Sequence, residues 1–450
     1  MQSNRRALAL LLIAGLAGPT ACGTSSTPAA KTTEAGKVTI KVSCQPAKSD
    51  PRNRKVWDDD VAAFQKLHPN VTVESTDQQP CFDPKTFGPK LAGGQMETVF
   101  RVPVTNTQDV ISKGQALDIS GLTGEVKNFA DFSPAVMAPY SAGGKVYGIP
   151  TSTYSVGLVY NRKLFTQAGL DPNMPPKTWA EVREAAKKIA GIGAGFVGYG
   201  EYSGGNTGGW HFNQAIYGRG GEMVTPDGKQ AAFNSPEGKA VLQFLKDLRW
   251  SDNSTGTKLL VGWESLMQAM GSGKTGMMLG APDVVPDLVN KFGGQIADYG
   301  IAPFPEAKAS LSGGEGFMIN PKATPEEAKA GLQWVDFYWT TPGQGAFNYE
   351  RAKTIGNPVG LPNNSLFGDS PSGKKIAELQ KQHATLPVEN FSPFVEGSAA
   401  VPPKLEPPKA QELYAILDVA MSAVLSRKDA DVDKLLTDAE SKANAVLAKS

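Results

Sequence analysis

Residues 37–74 constrain the fold more than any other stretch of this chain, because they read as strand, helix, strand. Lys37-Val-Thr-Ile-Lys-Val-Ser43 alternates with a period of two and predicts a first strand ending near Cys44 and Gln45. Trp57, Val61, Phe64 and Leu67 follow at three- and four-residue spacing, which predicts an amphipathic helix stopped by Pro69. Val71-Thr-Val-Glu74 predicts the second strand. A strand returning through a helix runs parallel to the first with a right-handed crossover, so the sheet is partly parallel. Downstream, Thr98-Val-Phe-Arg-Val-Pro-Val104 predicts a strand that ends in the polar loop Thr105-Asn106-Thr107. Gly143-Gly-Lys-Val-Tyr-Gly-Ile-Pro150 and the apolar Ser155-Val-Gly-Leu-Val-Tyr-Asn161 follow. Thr178-Trp-Ala-Glu181 and Thr324-Pro-Glu-Glu327 are capping boxes, each opening a helix. Glu412 to about Ala448 reads as helical with a break around Arg427 to Asp431. The pattern is α/β in two parts, with helices closing the chain.

Ahead of the first strand, Arg5 and Arg6 precede the apolar run Ala7 to Gly18, which reaches Pro19-Thr20-Ala21-Cys22. A positive start, an apolar core of about a dozen residues and a small-residue boundary describe an export signal, too short to span a bilayer. A cysteine at the boundary resembles a bacterial lipoprotein signal, in which Cys22 is acylated and becomes the new N-terminus. Pro19 stands where such signals usually carry Leu, and secretion by simple cleavage is the alternative. Residues 1–21 are thus expected to be a signal peptide and the low-complexity residues 22–36 a flexible tether. Formal charge is +1 for the precursor, no run of Lys or Arg points to nucleic acid, and no second membrane span follows. Beside Cys22, Cys44 and Cys81 remain as an even pair in an oxidising compartment; a disulfide between them is expected, with two buried thiols as the alternative. His68, His211 and His383 are scattered, so no metal site is expected. Gly193-Ala-Gly-Phe-Val-Gly198 fits a dinucleotide fingerprint but follows a helix. Gly273-Lys274-Thr275 resembles the end of a phosphate loop, but Gln268 replaces its first glycine.

Four stretches carry a resemblance to a known family. Gly144-Lys-Val-Tyr-Gly-Ile-Pro150 is one. Leu158-Val-Tyr-Asn-Arg-Lys-Leu-Phe-Thr-Gln-Ala-Gly-Leu-Asp-Pro172 with Pro176-Lys-Thr-Trp-Ala-Glu181 is the second. Met267 to Leu279, and Gly313-Gly-Glu-Gly-Phe-Met-Ile-Asn320 with its capped helix, complete the set. In this order they resemble the extracellular solute-binding proteins of ABC importers, in the sugar-binding group that includes maltose-binding protein. The resemblance spans about Lys37 to Lys449. It implies an α/β, two-lobed periplasmic-binding-protein-like fold with hinge strands and a ligand cleft between the lobes. Lobe 1 is expected from 37–150 and 310–362, lobe 2 from 151–309 and 363–450. It also implies a monomeric binding protein, not an enzyme, with no cofactor. The implied partners are a sugar or oligosaccharide ligand, the membrane through a lipid anchor on its outer face, and ABC permease subunits with a cytoplasmic ATPase.

A pyranose shows apolar faces and a rim of hydroxyls, so a sugar site needs aromatic rings with Asp, Glu, Asn, Gln or Arg around them. By position, the Gly-rich, aromatic stretch Tyr199 to Phe212 resembles the family's second-lobe ligand loop and offers Glu201, Tyr202 and Trp210, with a surface loop whose Trp plugs the core as the alternative. Asp283 follows the apolar Met277-Met-Leu-Gly280 and is either a ligand contact or a turn residue. Gly314 and Glu315 are expected on the hinge side, Tyr154 beside the first hinge crossing, and Gln45 and Asn106 at the ends of first-lobe strands. Phe391, Phe394 and Trp263 are weighed as core residues. Two rivals stay open. An exported hydrolase would need two carboxyls flanking one bond. The same fold could instead carry a polyamine, an iron chelate or a phosphate ester.

Overall fold

Val38–Lys41 (β1) pairs in parallel with Val71–Glu74 (β2), Val38 opposite Val71 and Lys41 opposite Glu74, as the alternating pattern requires. The helix Pro51–Leu67 makes the crossover. Asp50 caps it, its Oδ1 accepting from Asn53 N at 3.2 Å, and it buries Trp57 and Phe64. This computed structural model describes residues 36–75, 84–258, 261–362, 366–398 and 401–448. The signal and tether up to residue 35, with Cys22, lie outside the described residues, as does Cys81. Cys44 is disulfide-bonded.

Two four-stranded arrangements organise the rest. Val99–Pro103 (β3) begins the first, and a short hairpin of Ser141–Ala142 (β4) and Lys145–Val146 (β5) leads into Gly148–Ser155 (β6). The second is built from Gly157–Asn161 (β7), Val197–Tyr199 (β8), Thr275–Gly280 (β9) and Tyr299–Ala302 (β10), in the order β10-β7-β9-β8. There β8 and β9 are parallel and β7 is antiparallel to both β9 and β10. Ser310–Ile319 (β11) returns antiparallel to β6 and β3, and its first residues pair in parallel with Pro403–Lys404 (β12).

β6 and β11 each serve two cores. Ile149, Phe317 and Ile319 bury with Trp57, Phe64 and Trp334, where Trp334 packs edge-on against Trp57 at 5.3 Å and Phe64 at 5.2 Å. At the other ends of the same strands, Val156 and Leu311 bury with Leu158, Tyr160, Phe212 and Leu417. The pairing between the two strands shifts register between Glu315 and Gly316. Both cores lie in one compact unit, Val38–Ser450.

The capping boxes at Thr178 and Thr324 are formed, each threonine accepting from the glutamate N–H three residues on. The terminal helices, Ala410–Ser426 and Val432–Leu447, break where expected, and Asp431 caps the second at 3.0 Å from Lys434 N. Phe391 and Phe394 are core residues, and Trp263 opens the helix Trp263–Gly271, edge-on to Phe292. One packing detail departs from the expected division at residue 363. Leu366, Phe367 and Ile376 bury in the core of Trp57 and Trp334, and Ser372 N donates to Asp131 Oδ2 at 3.0 Å. The chain therefore stays on the first core through the helix Pro371–Gln382, and only afterwards do Leu386, Phe391 and Phe394 bury in a separate cluster with Val159, Met278 and Ile301, on the sheet of β7, β9 and β10. An apolar stripe says that a helix is buried, not which of two cores receives it.

Candidate functional site

The helix Thr207–Gly218 opens on Asn206, which takes a left-handed backbone at φ 67°. Gly208 and Gly209 let its first turn lie directly on the helix Ala410–Ser426. A Cβ at Gly209 would collide with the backbone of Tyr414. Asp418, from that second helix, accepts from Asn206 N at 2.6 Å and Gly209 N at 2.7 Å, so an acid from a distant part of the chain satisfies the helix start. Burial raises the Asp418 pKa, and these N–H donors oppose the rise. The next residue along the helix is Trp210, half-buried at the margin of the second core.

Tyr154 sits on β6 opposite Gly313 of β11, where a Cβ would collide with the tyrosine ring. Gly314 has φ +153° and faces the Ser152 carbonyl too closely for a side chain. The two glycines therefore make room for Tyr154 on the crossing strands. Trp210 acts on both the Tyr154 hydroxyl and the Glu406 carboxyl, lowering the pKa of each against the rise that burial causes. Glu406 lies between β12 and the helix Ala410–Ser426. Burial raises its carboxyl to about 7, and Trp210 only partly offsets that. The Tyr154 hydroxyl is raised by burial and by the negative charges of Glu406 and Asp283. Burial raises the Tyr217 and Tyr414 hydroxyls, with Glu222 and Glu406 adding to the first and Glu406 to the second; Tyr217 Oη donates to Leu405 O at 3.1 Å, and Asn213 Nδ2 donates to Tyr414 Oη at 2.7 Å. Trp210, Tyr154 and Asp283 are thus brought into one electrostatic neighbourhood. Tyr154 is the residue on which the other two act, and Glu406, whose charge it also feels, is absent from the sequence-level candidates.

The other candidates have different surroundings. Glu201 is buried, accepts from Tyr202 N at 2.9 Å and pairs with His211 Nδ1. Tyr202 is a core residue whose ring lies 4.2 Å from that of His211. The pair anchors the loop after β8 to the Trp210 helix from inside. Asp283 is exposed at the start of the helix Val284–Asn290. Glu315 pairs with Arg101 of β3, and its carbonyl accepts from Thr151 Oγ1 at 3.2 Å. Gln45 is buried, its amide donating to Ser75 O at 3.1 Å and accepting from Arg54 at 3.0 Å. Asn106 is half-buried beyond β3 and accepts from Thr105 Oγ1 at 3.2 Å.

Residues 48–345, well over half of the chain, match the family described as bacterial extracellular solute-binding protein. The chain belongs to that family. A putative binding protein of Brucella abortus is 24% identical to this solute-binding protein over 433 residues, covering 95% of this chain and 97% of the relative. Among solved structures, the cyclic alpha-maltosyl-1,6-maltose binding protein of Arthrobacter globiformis superposes with a TM-score of 0.69 at 22% identity, over 92% of this chain and 100% of that one. The UgpB protein of Mycobacterium tuberculosis, in complex with glycerophosphocholine, gives a TM-score of 0.69 at 18% identity, over 92% and 99%. The fold is therefore the two-lobed solute-binding architecture. In it the solute-binding protein's β6 and β11 are the strands shared by both halves.

Proposed function

We propose that this chain is the solute-binding component of an ABC importer and captures a sugar or oligosaccharide between its two lobes. β6 and β11 act as the hinge. Residues 37–150 and 310–362, with the packed segment 366–382, form one lobe; 151–309 and the remaining C-terminal residues form the other. One observation carries the reading: Tyr154, half-buried on a strand shared by both cores opposite Gly313, feels Trp210 together with the charges of Glu406 and Asp283. Rings suit the apolar face of a pyranose, and carboxylates accept from its hydroxyls. Ligand that touches both lobes favours the closed form by its differential affinity, and the solute leaves unaltered. Lipid on Cys22 would hold the monomer at the outer face of the cell membrane, near its permease and ATPase, and Cys81 would complete the bond at Cys44. Protein with and without the signal cysteine, fractionated with membranes, tests the anchor.

A phosphate ester is the second reading, because one structural relative holds glycerophosphocholine. The negative charges of Glu406 and Asp283, both felt at Tyr154, oppose a phosphate there, which wants cations or free N–H groups. A thermal-shift screen against mono- and oligosaccharides and phosphate esters separates the readings, since a ligand bound to the native state raises the midpoint. Small-angle scattering of the hits should show compaction. Hydrolysis of a hit, or hits confined to phosphate esters, overturns the sugar-capture reading.

A further inference from the structure

β1 pairs in parallel with β2, and Val42 bridges Val99 in parallel, so the carboxyl ends of β1, β2 and β3 share one edge. Open α/β sheets take ligands beyond that edge. β11 passes it antiparallel to β3, and there its backbone ladder thins on both sides of one residue, Glu315. Toward β3, Glu315 lies opposite Pro103, the last residue of that strand, and proline has no N–H to give. Toward β6, the pairing steps from Ser152 opposite Glu315 to Pro150 opposite Gly316. The step leaves Thr151 out of the ladder and puts a second proline beside the slip. Gly313, Gly314 and Gly316 surround Glu315, so no adjacent side chain of β11 makes up the loss. Neighbouring strands do so instead. The Thr151 hydroxyl donates to the Glu315 carbonyl at 3.2 Å, and the Glu315 carboxylate pairs with Arg101. Arg101 is itself fixed, its backbone N–H donating to Ser43 Oγ at 3.0 Å beside the disulfide-bonded Cys44. Glu315 is its one ion-pair partner among the described residues, and the two side chains remain 27% and 21% exposed, at a surface and not in a core.

We infer that Arg101 and Glu315 are a positioning pair for lobe closure: they hold β11 on the first lobe as far as Glu315, so the strand pivots at Gly313 and Gly314 and not at Gly316. This rests on the solute-capture reading above, in which β6 and β11 are the hinge, and it places the pivot. A hinge confined to a few residues brings the two half-sites back to one relative geometry. A longer pivot makes the solute select that geometry from a wider set, which weakens its apparent affinity. Hydrogen exchange of the unliganded full chain, read by mass spectrometry over β11, tests the pivot without any solute. Glu315→Gln and Arg101→Met should each speed amide exchange at residues 316–318 at least about ten-fold and leave β7 and β9 unchanged. Arg101→Glu combined with Glu315→Arg rebuilds the pair in reverse and should bring exchange back toward the parent rate. Unchanged exchange in both single variants, a rise shared equally by β7 and β9, or no recovery in the reversed pair overturns the positioning role. Calorimetry with maltotriose separates positioning from contact. Where maltotriose binds the parent, its affinity should fall about five-fold in both single variants and recover in the reversed pair. A fall in Glu315→Gln alone makes Glu315 a solute contact and overturns the positioning role. Failure of maltotriose to bind the parent counts against sugar capture, and the exchange result then decides the pivot by itself.

Discussion

Two sets of charged groups, one around the first core and one near Tyr154 at the second, are treated in opposite ways. On the side of the first core, charges are matched inside the protein. Arg101 pairs with Glu315 across β3 and β11, Asp60 takes the Arg351 guanidinium through two contacts of 2.5 and 2.8 Å, and Gln45 is tied to Arg54 and Ser75. On the side of the second core, Glu406 and Asp283 both act on Tyr154 and have no ion-pair partner among the described residues. A charge matched internally does structural work and has little left for a guest. A charge left unmatched raises the free energy of the empty protein and is available to a ligand that relieves it.

Breaking a matched charge should give the largest effect. Asp60→Ala strands the Arg351 guanidinium, which also donates to Gly345 O at 2.9 Å, in a mostly buried setting. We expect a loss of about 3 kcal/mol in urea unfolding, the range for removing one partner of a buried pair. A loss below about 1 kcal/mol would place this pair with solvent-screened surface bridges.

Neutralising an unmatched charge should do the reverse. The Glu406 carboxyl moves from 4.5 to about 7 on folding, so between those values the folded chain holds a proton that the unfolded chain has released. Stability contributed by this group is therefore present below pH 4.5 and lost as pH rises through 7. The full swing is on the order of 2 kcal/mol, after discounting for the partial exposure of the side chain. Glu406→Gln should match the parent near pH 4.5 and exceed its melting temperature at pH 8. Parallel pH profiles for the two proteins would show that Glu406 is not held unpaired.

The same contrast explains what could be read from the sequence. Period-two and period-3.6 patterns, capping boxes and the break before Asp431 are local, and they located strands and helices well. The four family stretches placed the crossing strands. Trp210 and Tyr154 were legible as an aromatic residue in a Gly-rich stretch and one beside a crossing. Glu406 was not, because Pro402-Pro-Lys-Leu-Glu-Pro-Pro408 reads as connecting loop and its meeting with Trp210 joins residues almost 200 apart in sequence. Glu201 was picked for its loop, yet its fate depends on His211, ten residues on and one helical face inward. Whether an acid is matched or unmatched is a tertiary property. The helix Pro371–Gln382 shows the same limit for apolar residues, since its stripe does not name its core.

Trp210→Ala tests the aromatic part of the unmatched side. The indole supplies ring surface and acts on the Glu406 and Tyr154 side chains, opposing the pKa rise that burial gives each. Affinity for the solute found by screening should fall at least ten-fold, about 1.4 kcal/mol, with little change in melting temperature because the residue is half exposed at the core margin. Trp210→Phe should recover part of the affinity through its ring alone. Unchanged affinity in calorimetry would remove Trp210 from the site.

The smallest effect should come from a group that acts on Trp210 from a distance. Asp418 satisfies the first N–H groups of the Trp210 helix from across the interface with Ala410–Ser426. Asp418→Ala leaves those donors without an acceptor and should cost about 1 kcal/mol of stability, as for loss of a helix cap. Asp418→Asn retains an acceptor oxygen and should cost less. If the cap positions Trp210, the alanine variant should also weaken solute binding two- to three-fold, and asparagine should restore most of it. A variant that loses stability without losing affinity would assign Asp418 to holding two helices together and nothing more. Because Asp418 is held by backbone N–H groups and the burial of Glu406 is opposed by Trp210, the two acids compare how far a partner must go before a carboxylate stops being available to a guest.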